Sequence, residues 1–208
     1  MGMLNGKVAV VVGGGGIGGA SARRLAAAGA RVVIGDLDAG NAAAIAAQIT
    51  KAGGDAQGLR CDIAEEASVA ALVQAAVARC GGLDLMHVNA ADLRVIAQDS
   101  NAVDVDLGVF ERTIAVNLRG HLLCTRHAIP QMLSRGGGAL VYTSSNSAFI
   151  GESERPCYAM AKAGINALMR HVASRWVRQG IRANAVAPGL GLNKDNPKLI
   201  PEDVKAAA

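Results

Sequence analysis

An α/β fold with a doubly wound parallel sheet is what this sequence predicts, on three observations. Short apolar runs of strand length alternate with Ala-rich runs of helix length along most of the chain, the βαβα rhythm of a parallel sheet covered on both faces. The strand runs, beginning with Val8-Ala9-Val10-Val11-Val12, lack the period-two alternation of a sheet with one wet face. The first of them runs straight into Gly13-Gly14-Gly15-Gly16-Ile17-Gly18, which is followed by a run of strong helix formers.

Taken in order, residues 7–12 are expected to form the first, central strand, and the glycines after it fit G-x-G-x-x-G between a strand and a helix. Glycine suits that turn because the backbone must approach a pyrophosphate, whose charge is met by amide N–H groups at the helix N-terminus. Gly13, Gly15, Gly16, Ile17 and Gly18 are therefore candidate cofactor residues. A helix over residues 20–28 stops at Gly29, and a second strand, 31–35, ends at Asp36. Asp36 lies 18 residues beyond Gly18, near the ~20-residue offset of a carboxylate that binds the adenosine ribose. A carboxylate there repels a 2′-phosphate, and neither Gly14 nor Leu37 supplies a cation against it, so NAD is expected over NADP. Asp36 and Asp38 also stand where helix caps belong, before the Ala-rich run 39–52.

The alternation continues with a strand at 56–61, a helix at 65–79 and a strand at 83–88. Asn89-Ala90-Ala91 and a polar loop to residue 106 lead into a helical region, 107–134, where Gly120 and Pro130 predict a break and hence two helices. After a glycine turn at 136–138 comes the strand 139–143, with Ser144-Ser145 just past its carboxyl end, where open α/β sheets bind ligands. A long helix, 157–179, stops at Gly180, and a sixth strand, 181–187, is closed by Pro188-Gly189.

With 208 residues, 51% hydrophobic and 18% charged, the chain is long and apolar enough for a single well-buried domain spanning residues 1–208. A net charge of +4, scattered basic residues and five aromatics offer nucleic acid neither a basic stripe nor stacking platforms. Cys61, Cys80, Cys124 and Cys157 lack zinc-site spacing and read as free thiols of a reducing cytoplasm. His87, His121, His127 and His171 stand singly, so no metal is expected. No run reaches the ~18–20 apolar residues of a membrane span.

Tyr158-Ala159-Met160-Ala161-Lys162 carries the candidate chemistry. A phenol and an ammonium four residues apart share one helix face and can act as a unit. A free phenol titrates near pH ~10 and is a poor base at neutral pH, but a fixed positive charge beside it favours the phenolate. Tyr158 is the candidate acid/base.

Together, Gly13 to Gly18, Asn89-Ala90-Ala91, Asn117, Ser144-Ser145, Tyr158-x-x-x-Lys162 and Asn184-Ala185-Val186-Ala187-Pro188-Gly189 resemble the classical short-chain dehydrogenase/reductase family. The resemblance covers residues 4–193 and keeps the family's order, with Ser145 thirteen residues before Tyr158. It implies a Rossmann-like fold and an NAD-dependent oxidoreductase that interconverts a small secondary alcohol and a ketone. Tyr158 would transfer the proton, while Lys162 would hold the nicotinamide ribose and lower the phenol's pKa. Ser145 would hydrogen-bond the substrate oxygen, with Ser144 the alternative, and Asn117 would hold a water through which Lys162 exchanges protons. Asp62 and Ile63 match the pair that contacts adenine; Asn89, Ala90 and Ala91 would line the cofactor cleft, and Pro188 and Gly189 complete the cofactor set.

Three departures from the family stand out. Gly13 and Gly16 enclose two residues where the family has three, and Val12 replaces a Thr; Ala91 replaces a Gly; and Asn193 takes the place of a Thr that meets the nicotinamide amide. Beyond it, residues 193–208 hold only part of the substrate lid, without the family's seventh strand and last helix. A second reading follows from these departures: a nucleotide-binding module that has lost turnover and acts as a sensor or assembly partner. The resemblance also implies a homodimer through the two central helices, 107–134 and 157–179.

Overall fold

The structure, a computed structural model, describes residues 2–189. The Asn193 position and the 193–208 lid segment lie outside the described residues. Six parallel strands stand in the order β3-β2-β1-β4-β5-β6: β1 (Val8–Val12), β2 (Arg31–Asp36), β3 (Asp55–Arg60), β4 (Leu85–Val88), β5 (Gly138–Thr143) and β6 (Ile181–Val186). Strand order reverses between β1 and β4, which opens a crevice at the carboxyl ends of the strands. Register sets what lines it. Val12 pairs with Gly35 on one side and Val88 on the other, Val88 with Tyr142, and Tyr142 with Ala185. The residues that follow, Gly13, Asp36, Asn89 and Thr143, therefore leave the sheet side by side.

Both faces are covered by α1 (Ile17–Ala27), α2 (Ala39–Lys51), α3 (Glu66–Cys80), α4 (Leu107–Ile114), α5 (Gly120–Ser134) and α6 (Pro156–Trp176). The absence of alternation in β1 has its reason here. Ala9 and Val11 join one core cluster with Val32, Ile34, Ile45 and Ile49, while Val10 and Val12 join the other with Leu72, Met86, Leu140 and Ile165. All five residues of β1 are at most 1% exposed, and each fully buried Val contributes about 1.5–3 kcal/mol.

The helical region 107–134 is two α-helices, as expected, and α5 begins at Gly120; Pro130 breaks nothing, since α5 runs through it. The irregularity is a π-helical stretch, Ala115–Arg119, that contains Asn117 and joins α4 to α5 without a gap. Such a widened turn leaves carbonyls off the regular ladder and is frequent at functional sites. Gly120 has a different reason to be glycine, since a Cβ there would stand 2.9 Å from the Ile63 carbonyl oxygen. The long helix likewise ends earlier than expected, at Trp176, and continues as a 3-10 turn, Val177–Gln179.

Candidate active site

Gly13, Asp36 and Asn89 border a cleft of about 1400 Å³ at the carboxyl ends of the strands, together with Gly15, Gly16, Ile17, Leu37, Asp62, Ile63, Ala90 and Ala91. Gly13 sits at φ +89, and a Cβ on it would lie 2.5 Å from Ala90 Cα, so the exits of β1 and β4 touch backbone to backbone. Gly18 does not line the cleft; a Cβ there would stand 1.8 Å from the Gly13 carbonyl oxygen, which fixes the curl of the loop. Asn89 ties three strands together: its Nδ2 donates to the Gly13 carbonyl at 3.0 Å and its Oδ1 accepts from Thr143 Oγ1 at 2.9 Å. Helix α1 starts at the cleft with no side-chain cap and no acidic residue in its first turn. Its N-terminal amides thus favour an anion, and the glycine loop fits a dinucleotide pyrophosphate.

Asp36 does more than face the cleft. Its Oδ2 accepts from the Gly14 amide at 2.7 Å and from Asn41 Nδ2 at 3.0 Å, and its Oδ1 accepts from the Asp38 amide at 2.9 Å. The glycine loop, one residue shorter than the family pattern, is braced on this carboxylate. The cap of α2 falls to Asp38, which accepts from the Gly40 amide at 2.8 Å.

Ser144, Ser145, Tyr158, Lys162, Pro188 and Gly189 border the other end of the same cleft. Lys162 is 1% exposed, and its ammonium donates to the Thr143 carbonyl at 2.8 Å. Burial pushes its pKa down to about 8. Nζ lies 5.5 Å from the centroid of the Tyr158 ring. The expected depression of the phenol's pKa is not found: burial raises it, outweighing the hydrogen bond to Ser145 and the charge of Arg155, while the charge of Glu152 adds to the rise. Of the two serines, Ser144 turns its hydroxyl to the Lys162 carbonyl at 3.3 Å, a structural bond. Ser145 Oγ meets Ser147 Oγ at 3.2 Å, and Ser147 donates onward to Glu152 Oε1 at 2.7 Å.

Asn117 stands behind the cleft, fully buried. Its Oδ1 accepts from the Asp92 amide at 2.7 Å, so the π-helical stretch holds the start of the β4–α4 loop. The Asp92 carboxylate, in turn, takes Arg94 through Nε (2.9 Å) and Nη2 (2.6 Å) and Arg112 through Nε (2.8 Å). Those guanidinium groups, Arg94 first, hold its pKa far below the usual carboxylate range against the opposing effect of burial. Asp92 and Arg112 border the cleft themselves, whereas Asp99, Ser147 and Glu152 reach the site through partners that the fold fixes; the sequence marks the segments 92–106 and 146–156 near the substrate but not these roles. Beyond that, the adjacency of Asp92 to Asn89-Ala90-Ala91 singles out one of them. A second hollow, of about 520 Å³ by His171, Arg175 and Gln179 at the far end of α6, holds none of the sequence-predicted residues.

The model of the short chain dehydrogenase family matches residues 7–197. A probable short-chain type dehydrogenase/reductase of Bradyrhizobium diazoefficiens is 45% identical over 191 residues, which is 91% of this chain and 68% of that protein. Cis-4-hydroxycyclohexanecarboxylate dehydrogenase of Sinomonas cyclohexanicum is 41% identical over 96% of this chain and 79% of its own length. Among solved structures, one described as a short-chain dehydrogenase/reductase from Burkholderia xenovorans superposes with a TM-score of 0.83 at 34% identity, covering 91% of this chain and 77% of the other.

Proposed function

The chain belongs to the short-chain dehydrogenase/reductase family of oxidoreductases, and we propose that it interconverts a secondary alcohol and a ketone with NAD, using Tyr158 as acid/base. The observation that carries this reading is one cleft with two ends: a glycine loop and Asp36 at one, and Ser145, Tyr158 and Lys162 at the other. Residues 1–208 are read as a single dinucleotide-binding domain.

In this reading the bound nicotinamide supplies the hydride chemistry, and the chain supplies binding, orientation and the proton. Gly13, Gly15, Gly16, Ile17 and Gly18 shape the pyrophosphate site, and Asp36 receives the ribose hydroxyls and disfavours NADP. Asp62 and Ile63 flank adenine, while Ala90, Ala91, Pro188 and Gly189 close the walls. The Tyr158 oxygen takes the alcohol proton in oxidation and returns it in reduction, and the Ser145 hydroxyl donates to the substrate oxygen as charge develops there. Asn117 holds the loop and the π-helical turn in place behind Lys162. A phenol raised by burial is mostly protonated at neutral pH, so ketone reduction should proceed near neutrality and alcohol oxidation should climb with pH.

Names among the relatives, cis-4-hydroxycyclohexanecarboxylate dehydrogenase and D-threitol dehydrogenase, direct the substrate search to small cyclic alcohols and polyols. NADH formation over a panel of both, with the matching ketones run in reverse, tests the reading. Turnover with at least one is the expected result. NADH binding without turnover on any of them would leave the nucleotide-binding module instead. A homodimer belongs to the same proposal: Leu107, Leu122 and Met160 on the central helices are 72%, 52% and 50% exposed, apolar area that a two-fold contact would cover. A cytoplasmic location fits the four free cysteines. No helix of the described residues is long and apolar enough to cross a membrane.

A further inference from the structure

The helix that carries Tyr158 begins without a cap of its own. Pro156 opens α6, the residue before it, Arg155, has no capping side-chain bond, and the first turn holds no acidic residue. Arg155 is also the one non-glycine residue at positive φ among the described residues, at φ 67, and its guanidinium is turned away to Glu152 at 2.8 Å. Left so, the first-turn amides would be buried without partners, since Cys157 is only 1% exposed. They are met from the β4–α4 loop instead. The Arg155 amide donates to the Asp99 carbonyl at 2.8 Å, the Cys157 amide to Asp99 Oδ1 at 3.2 Å and the Tyr158 amide to Asp99 Oδ2 at 2.8 Å. Pro156 has no amide hydrogen, so every amide from residue 155 to residue 158 meets Asp99, that of Arg155 shared with the Ser100 carbonyl at 3.2 Å. Asp99 itself is 2% exposed.

We propose that Asp99 is a positioning residue, which fixes from 59 residues away the height and rotation at which α6 presents Tyr158. A carboxylate at a helix N-terminus satisfies the free amides and the positive end of the helix dipole at once. Here one of those amides belongs to the acid/base residue itself, so the cap and the phenol share a residue. The loop that brings Asp99 also borders the cofactor cleft through Leu93 and Arg94. It is clamped at Asp92 by Asn117 and at Asp99 by the start of α6, which sets the two ends of the cleft relative to each other. The statement that this matters to turnover rests on Tyr158 being the acid/base; the capping itself does not.

The test uses Asp99→Ala and Asp99→Asn in the full chain, with two readouts. With an alcohol that the wild type oxidises, Asp99→Ala should lower kcat at least about tenfold, as a displacement of roughly 1 Å does, while the NADH dissociation constant stays within about twofold; Asp99→Asn, which keeps one acceptor oxygen, should recover part of the rate. The second readout needs no turnover. All four cysteines are buried, so iodoacetamide labelling followed peptide by peptide separates a local opening from a general one. Burial and the Asp99 carboxylate raise the Cys157 thiol's pKa, and both variants remove that carboxylate, so the opening is read from the difference between them: Asp99→Ala should label Cys157 at least about tenfold faster than Asp99→Asn and leave Cys61, Cys80 and Cys124 at the wild-type rate. Four cysteines accelerating together would show a general loss of stability and overturn the proposal, as would equal Cys157 labelling in the two variants or an unchanged kcat. If Tyr158→Phe keeps full turnover, the acid/base reading is what fails, and Cys157 labelling still judges the cap.

Discussion

Around the glycine loop and around Tyr158, the cleft is built from different parts of the chain. The cluster beneath the loop, on the α1 and α2 face, is made of Ala, Val and Ile alone, among them Ala9, Val11, Ala22, Ile34 and Ile45. The loop itself offers the cleft backbone amides, with few side chains of its own. On the other side the groups proposed to act are side chains, and the neighbourhood is polar to its depth: Asp92, Asp99, Asn117, His121, Ser144 and Lys162 are all buried. Among the described residues, each buried polar or charged side chain lies at or beyond Asp84. His121 shows how far this goes, with burial and the charge of Lys162 pushing its pKa down to about 3. A backbone site needs only shape, which small apolar residues supply without stored strain. A side-chain site has to keep polar groups out of water, here with neither ring nitrogen of His121 hydrogen-bonded, and it sacrifices stability for reactivity.

The sharpest way to break that contrast is at its chemical end. Tyr158→Phe should lower turnover by about 10³-fold with NADH affinity within about twofold of wild type, since the ring still packs. Stopped-flow measurement of the hydride step beside a fluorescence titration checks both halves, and retained turnover would falsify the acid/base role. At the backbone end the opposite pattern is expected. Gly18→Ala places a Cβ against the Gly13 carbonyl and should weaken NAD binding by about 2 kcal/mol, roughly 30-fold, with little change in kcat at saturation. A variant that binds NAD as well as wild type would mean the loop is soft and the shape account wrong.

The same contrast explains what could be read from the sequence. Strand and helix order, the sheet's class, and all of Gly13 to Gly18 were legible because each depends on neighbours within one turn or one strand. Tyr158 and Lys162 could be paired from helical spacing alone, whereas Asn117 and Ser145 took their proposed roles only from the ordered set. Their supports were not legible: Asp99 reaches Tyr158, and Arg112 reaches Asp92, only after the loop has folded over. Gly120 and Pro130 located the join only in part. Intrinsic propensity marks both as breakers, yet α5 begins at Gly120, where it meets Ile63, and runs through Pro130, while the distortion sits just before it at Asn117, whose side-chain oxygen accepts from the Asp92 amide. Spacing places Lys162 beside Tyr158 but leaves undetermined the burial that raises the phenol's pKa.

Asp36 stands between the two modes, a side chain spent partly on holding backbone. NAD should bind at least about tenfold more tightly than NADP, a difference of about 1.4 kcal/mol. Asp36→Ala should narrow that gap chiefly by weakening NAD, because the Gly14 amide and Asn41 lose their acceptor. Isothermal titration with both cofactors decides it: a variant that keeps wild-type NAD affinity and simply gains NADP would show that the brace is dispensable.

The smallest effect expected is the most direct measure of what the polar side sacrifices. Lys162 titrates near 8 in the folded chain, against an ordinary value of 10.5. Between those values the unfolded chain holds a proton that the folded chain lacks, so stability should rise as pH climbs from about 8 to 10.5. Below pH 8 both states are protonated and the whole penalty of the buried cation is present, about 3 kcal/mol by linkage. Lys162→Met removes that penalty but leaves the Thr143 carbonyl without its donor, a loss of about 2 kcal/mol. The variant should therefore be inactive yet more stable than the wild type at pH 7. Its stability should also lose the increase between pH 8 and 10. Calorimetry at pH 7 and pH 9.5 separates the outcomes: a variant less stable at both would show that Lys162 stabilises the fold, and the side-chain half of the cleft would then carry no hidden penalty at this residue.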